Sequence, residues 1–160
     1  MSKHLQRDLE NVQRQILALS GAVEETIEKG SRALCERRRD FAEQVLAGDD
    51  EIDRREVGIE EECLKILALH QPVAVDLRRV AMVIKINSDL ERIADLAHNI
   101  AERAQALASE SDFPIPAKLK RMVEMATLMV HNALDSFVNL DAQAARRVCG
   151  LDDEVDRDNR

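Results

Sequence analysis

The residues most able to do chemistry lie in two short stretches. Leu90 to Glu102 reads L-E-R-I-A-D-L-A-H-N-I-A-E, which puts Glu91, Asp95, His98 and Glu102 on one stripe of a helix. Asp49 to Arg54 reads D-D-E-I-D-R, and Asp49, Asp53, Glu56 and Glu60 form a second stripe of the same kind. Like charges four residues apart on a helix repel by a few tenths of a kcal/mol. A solvated face tolerates that repulsion; so does a stripe that holds something positive. An all-oxygen set of carboxylates suits a hard ion or iron, namely Mg²⁺, Mn²⁺, Ca²⁺ or Fe³⁺, and His98 could add a nitrogen.

Helices must position these acids. Ala, Leu, Glu, Arg and Gln dominate the 160 residues, with five Gly, three Pro and neither Tyr nor Trp, an all-α composition. Leu5, Leu9, Val12, Ile16, Leu19, Val23, Ile27, Gly30 and Leu34 recur by threes and fours, which predicts one long amphipathic helix, with Arg37, Arg38 and Arg39 at its C-terminal end. A short helix over Phe41–Ala47, ending at Gly48, is expected next. A second long helix then starts at the caps Asp49 and Asp50 and has Ile52, Ile59, Cys63 and Ile66 inward. Gln71-Pro72 breaks it. A third long helix, Val73 to Leu107, presents Leu77, Val80, Ile84, Leu90, Ala94, Ala97, Ala101 and Ala104, and its alanines predict a close neighbour.

A tight turn at Pro72 makes the second and third helices antiparallel, so residues equidistant from it share a height. Asp53 and Glu91 both lie 19 positions away; Asp49 and Asp95 both lie 23 away. Asp53 follows the seam residue Ile52, Glu91 follows Leu90, and Asp95 follows Ala94, so the acids belong at the edge of the seam. Carboxylates gathered this way repel strongly unless they protonate or bind a cation.

The pattern also repeats. Adding 103 to Ile16, Leu19, Val23, Ile27 and Leu34 gives Leu119, Met122, Ala126, Val130 and Phe137, and D-D-E-I-D-R falls on D-D-E-V-D-R, Asp152 to Arg157. The first unit is assigned to residues 1–108, a linker S-E-S-D-F-P-I-P to 109–116, and the start of a second unit to 117–160. The chain therefore reads as truncated within its second repeat. Its apolar seam at Met122, Ala126, Met129, Val130 and Phe137 would need a partner, in the first bundle or in a second copy.

Charge and cysteine content narrow the function. A net charge of −8, with eight acids and two arginines between Asp49 and Glu62, argues against binding a nucleic-acid backbone. Cys35, Cys63 and Cys149 show no C-x-x-C spacing and read as reduced core thiols of a cytosolic chain. The N-terminus has no signal-type apolar region, and Val80 to Ile84, the longest apolar run, is too short for membrane insertion. No Gly-rich phosphate loop or H-E-x-x-H occurs.

D-D-E-I-D, Q-P-V-A-V-D-L-R-R-V (Gln71 to Val80) and L-E-R-I-A-D-L-A-H-N-I-A-E, in that order and with the repeat, resemble the PhoU family of accessory regulators of phosphate-specific transport. Ala94 stands where that family commonly has Gly. The resemblance implies tandem three-helix bundles of long antiparallel helices, the second incomplete here, in a cytoplasmic homodimer. It implies metal ions (iron, or magnesium, manganese or zinc) at Asp49, Asp53, Glu91 and Asp95, with Asp152 and Asp156 as half of a second site. It further implies a non-enzymatic regulator that restrains phosphate uptake and starvation signalling through the phosphate ABC transporter's ATPase and a membrane sensor histidine kinase. The rival reading is a di-metal carboxylate oxidase, but Asp95-Leu-Ala-His98 is its sole Glu-x-x-His-like element, with no second copy opposite.

Overall fold

The structure, a computed structural model, describes residues 3–108 and 114–159. All its elements are α-helices: α1 (Lys3–Cys35), α2 (Arg39–His70), α3 (Ala74–Leu107), α4 (Ala117–Val138) and α5 (Ala142–Asn159). Residues 109–113 of the expected linker lie outside the described residues.

α1, α2 and α3 pack pairwise into a three-helix bundle. Its seam is Val12, Ile16, Leu19 and Val23 of α1, Ile52, Ile59, Cys63 and Ile66 of α2, and Val80, Val83, Leu90 and Ala94 of α3, all buried. A smaller cluster of Ala33, Ala42, Val45, Ala101 and Ala104 closes the far end. The inward alanines do bring the backbones together: a Cβ built on Gly30 of α1 would lie 3.0 Å from the Ala97 carbonyl oxygen of α3. Buried Ser20 and Ser31 return their hydroxyls to their own helix, donating to the carbonyls of Ile16 (2.7 Å) and Ile27 (2.6 Å).

The structure corrects the sequence reading in four places. α2 runs unbroken through Gly48, so Asp49 and Asp50 lie mid-helix and cap nothing. Val45 and Ile52, seven residues apart, are both buried on one face across Gly48, and that burial outweighs the roughly 1 kcal/mol a glycine costs a helix interior. Leu77, expected inward, is 44% exposed near the α2–α3 turn. Cys63 is buried and Cys35 half-buried, but Cys149 is exposed, because among the described elements α5 packs only on α4. Ala126 of the expected α4 seam is exposed, whereas Leu134, which the pattern missed, joins the main core.

The α2–α3 turn forms as the sequence required. Gln71 adopts the left-handed conformation (φ 43°) and its N–H donates to the Leu67 carbonyl at 3.2 Å; Pro72 follows, buried. The 103-residue offset recurs in the backbone. α1 and α4 end at Cys35 and Val138, and α2 and α5 begin at Arg39 and Ala142. Arg37 and Leu140 both have positive φ, 57° and 53°. Arg38 N–H donates to Ala33 O at 3.1 Å, and Asp141 N–H to Ser136 O at 2.9 Å.

Candidate metal centre

The antiparallel pairing of α2 and α3 sets the acids side by side. Ile52, Leu90 and Ala94 are 5%, 2% and 2% exposed, and each acid that follows one of them emerges at the rim. Asp49 and Glu91 are half-buried; Asp53 and Asp95 are exposed. His98 Nε2 lies 3.8 Å from Asp49 Oδ2, which brings the imidazole of α3 to the carboxylate of α2.

The electrostatics join these groups into one field. Burial raises the pKa of Asp49; His98 works against that rise, and Asp53, Asp95 and Asp50 add to it. Burial also raises the pKa of Glu91, reinforced by the charges of Asp95, Glu56 and Asp53 and by a hydrogen bond with Asp95. Glu56, half-buried, is raised by burial and by Glu60 and Asp53. The height matches inferred from Pro72 thus correspond to real neighbours, and Glu56 belongs among them.

Asn87 is the residue that the sequence reading missed. It lies one turn before Glu91 on α3, is fully buried, and donates from Nδ2 to the Glu56 carbonyl (2.8 Å) and to Glu56 Oε1 (3.3 Å). Its Oδ1 has no hydrogen-bond partner and is the one such buried side-chain atom among the described residues. The signal was present in the sequence, since Asn87 occupies the i−4 position of the Glu91 stripe, but an uncharged residue does not stand out in a stripe of acids.

As they lie, no three His, Cys, Asp or Glu side chains among the described residues converge closely enough to hold a metal ion. The donor chemistry nevertheless fits a hard cation. Several carboxylates from two helices repel one another at the rim, and a buried amide oxygen beside them lacks a partner. Asp152 and Asp156 are exposed on α5, and no described helix lies across from them.

Comparison with known proteins agrees with this architecture. The PhoU domain model matches residues 16–104 and 119–160. The chain is 41% identical over 94% of its length to the phosphate-specific transport system accessory protein PhoU homolog of Aquifex aeolicus, spanning 68% of that protein. It is 32% identical over 99% of its length to the Escherichia coli PhoU, spanning 67% of it. It therefore spans about two thirds of these relatives. The crystal structure of PhoU from Pseudomonas aeruginosa superposes with a TM-score of 0.93 at 38% identity, over 96% of this chain and 74% of that one. The phosphate transport system regulatory protein PhoU of Streptococcus pneumoniae superposes with a TM-score of 0.89 at 27% identity, over 96% and 72%. On its sequence, its repeat and its fold, the chain belongs to the PhoU domain family.

Proposed function

We propose that this chain is a cytoplasmic, non-enzymatic regulator of phosphate homeostasis. It restrains phosphate uptake and starvation signalling by contacting the phosphate ABC transporter's ATPase and its sensor histidine kinase, and it acts as a homodimer. The observation that carries this reading is the match over nearly the whole chain to proteins named as accessories of phosphate-specific transport. No described helix is long and apolar enough to cross a membrane, which fits a protein that works on a membrane transporter from outside the bilayer.

Metal binding is the second part of the proposal. Asp49, Asp53, Glu91 and Asp95 hold a hard cation between α2 and α3, with Asp152 and Asp156 contributing to an equivalent position when a further helix faces them. A bound ion offsets the burial, and the lesser repulsion by neighbouring carboxylates, that raise the pKa of Asp49 and Glu91, and its position at the rim of the bundle leaves it open to exchange with solvent. The placement of the acids outside the seam supports an ion-dependent adaptor over an oxidase, whose ligands project into the bundle core.

Two experiments test this reading. Deleting the gene in phosphate-replete cells should raise phosphate accumulation, and the tagged protein should co-purify with the transporter ATPase; unchanged accumulation together with no co-purification would refute the regulatory role. Mn²⁺ at a hundredfold excess over Kd should add about 2.7 kcal/mol of stability. Asp53→Asn with Glu91→Gln should abolish most of that gain. A melting temperature indifferent to Mn²⁺, Fe³⁺, Mg²⁺ and Zn²⁺ would rule out the metal site.

A further inference from the structure

We propose that the outward face of α3 is a docking surface for an acidic amphipathic helix of a partner protein, recognised by Arg78, Lys85, Arg92 and Arg103. These four residues are 7, 7 and 11 positions apart, so at about 100° per residue they lie within about 40° of arc. All four are exposed. Their face is opposite the one on which Val83, Leu90, Ala94 and Ala101 are buried in the bundle. From Arg78 to Arg103 the row is straight and roughly 38 Å long. None of the four makes an ion pair or a side-chain hydrogen bond among the described residues. Elsewhere the bundle matches its cations locally: Lys29, Arg32, Arg39, Arg54, Arg55 and Lys65 each meet an acid three or four positions away on the same helix. Arg78 and Arg103 have no acid at those distances on α3. Asp89 is the one acid within the row, and it pairs with neither Lys85 nor Arg92. A chain of net charge −8 thus keeps an unmatched line of positive charge on one helix face.

Two large apolar side chains share this face. Met82 and Leu96, 48% and 58% exposed, stand 14 residues apart, each four positions after a cation of the row. Arg78, Lys85 and Arg92 repeat every seven residues, and so does the column that holds Met82 and Leu96, which is the spacing of a helix–helix seam. A helix laid along it sets carboxylates opposite the four cations and apolar side chains on Met82 and Leu96. The narrowness of the row selects a helix over a broader anion. Glu91, Asp95 and Glu102 lie roughly a quarter turn round α3 from it. Charges are screened over about 8–10 Å at ordinary ionic strength, and a helix is about 10–12 Å across, so a helix on the row feels the cations more than these acids. A membrane or a nucleic acid is wider than the row and meets the acids as well, against the net charge of the whole chain. This assignment goes beyond the regulatory and metal readings and depends on neither.

The probe is a fluorescein-labelled helical peptide of about four heptads, with Glu and Leu at the two facing positions and Ala elsewhere. Its anisotropy is followed as the full 160-residue chain is added in low salt. The wild-type chain should bind it, and added NaCl should weaken the binding. Lys85→Glu with Arg92→Glu should weaken it about tenfold or more, because the reversal sets like charges against each other. Arg54→Glu with Arg55→Glu makes the same change of net charge on α2 and should leave the affinity unchanged. Met82→Ser with Leu96→Ser should weaken binding with no change of charge. Every substituted residue is exposed, and unchanged helical circular dichroism checks that each variant folds. No binding by the wild-type chain would overturn the proposal, as would an equal loss in the α2 variant, which would mark unspecific charge attraction. Sedimentation of the wild-type chain with phosphatidylglycerol vesicles, without peptide binding, would overturn it in favour of a lipid surface. A dimer that dissociates on Lys85→Glu with Arg92→Glu would overturn it in favour of a second copy of the chain.

Discussion

Gly30→Ala tests how closely α1 and α3 approach. In an open helix this change is favourable, because alanine is better than glycine in a helix interior by about 0.8–1.0 kcal/mol. At Gly30 the new methyl group would lie 3.0 Å from the Ala97 carbonyl oxygen and 3.7 and 3.9 Å from the carbonyl carbon and Cα of Ala97. All three atoms are backbone, so no rotamer change relieves the contact, and the helices must separate by a few tenths of an ångström. That separation loosens the packing of Ala94, Ala97 and Ala101, which are 2%, 3% and 0% exposed. Overpacking of this kind costs about 1–3 kcal/mol, more than the propensity gain. The net result should be a loss of about 1 kcal/mol. Gly21 on the same helix is the control, because nothing lies within 4 Å of its added Cβ. Gly21→Ala should therefore stabilise by about 0.5–1 kcal/mol. Urea titrations of both variants should show midpoints moving in opposite directions, and melting temperatures should follow at about 2–4 °C per kcal/mol for a domain of this size. If Gly30→Ala stabilises as much as Gly21→Ala, the α1–α3 approach is looser than described and the argument fails.

Further expectations follow from other parts of the bundle. Ala101→Leu, within the small-residue cluster at the far end, should cost about 1–3 kcal/mol of stability in a denaturant titration. Cys63, fully buried, has its thiol pKa pushed up to about 11 by burial, with Glu60 and Glu62 adding to the rise. It should resist a thiol reagent at pH 8 in the folded chain, while exposed Cys149 reacts at once. Because Cys63 stays neutral when folded but ionises near its ordinary value when unfolded, stability measured by denaturation should fall as pH rises from about 9 towards 11. Asp8 has its pKa lowered chiefly by its 2.9 Å hydrogen bond with His70, which ties α1 to the end of α2. A carboxylate with a lowered folded-state pKa stabilises above its unfolded value and loses that contribution as pH falls through the folded one. The stability gap between wild type and Asp8→Asn should therefore be fully present at pH 5 and shrink below about pH 4.

Much of this architecture was legible in the sequence, because burial is periodic and geometry around a turn is symmetric. The α1 seam, the inward alanines of α3 and the α2–α3 turn at Pro72 all follow from spacing alone. Counting equal distances from Pro72 was enough to bring Asp49 and Asp53 to Asp95 and Glu91, because two antiparallel helices of the same rise keep register. The reading failed at Gly48 because a glycine stops a helix only where the seam also stops, and Val45 and Ile52 carry the seam across it. It missed Leu134 because α4 packs on α1 at a position that a copy of the first unit's pattern does not mark. Asn87 was hidden for a different reason: its importance lies in which of its atoms finds no partner, and that is a property of three-dimensional packing.

The unbroken course of α2 through Gly48 gives the α2–α3 hairpin the mechanics of tweezers. Its two legs are joined at Pro72 and have no joint along their length. At 1.5 Å of rise per residue, the acids at Asp53 and Glu91 sit roughly 29 Å from the pivot, while the leg end at Arg39 sits roughly 50 Å from it. A change in leg spacing at the acids is therefore magnified roughly 1.7-fold where α2 begins, by the ratio of these lengths. That end carries the small-residue cluster of Ala33, Ala42, Val45, Ala101 and Ala104, whose short side chains leave little slack to absorb movement. Any displacement imposed at mid-leg would reach the α1–α2 turn along an unbroken helix, whereas a break at Gly48 would dissipate it.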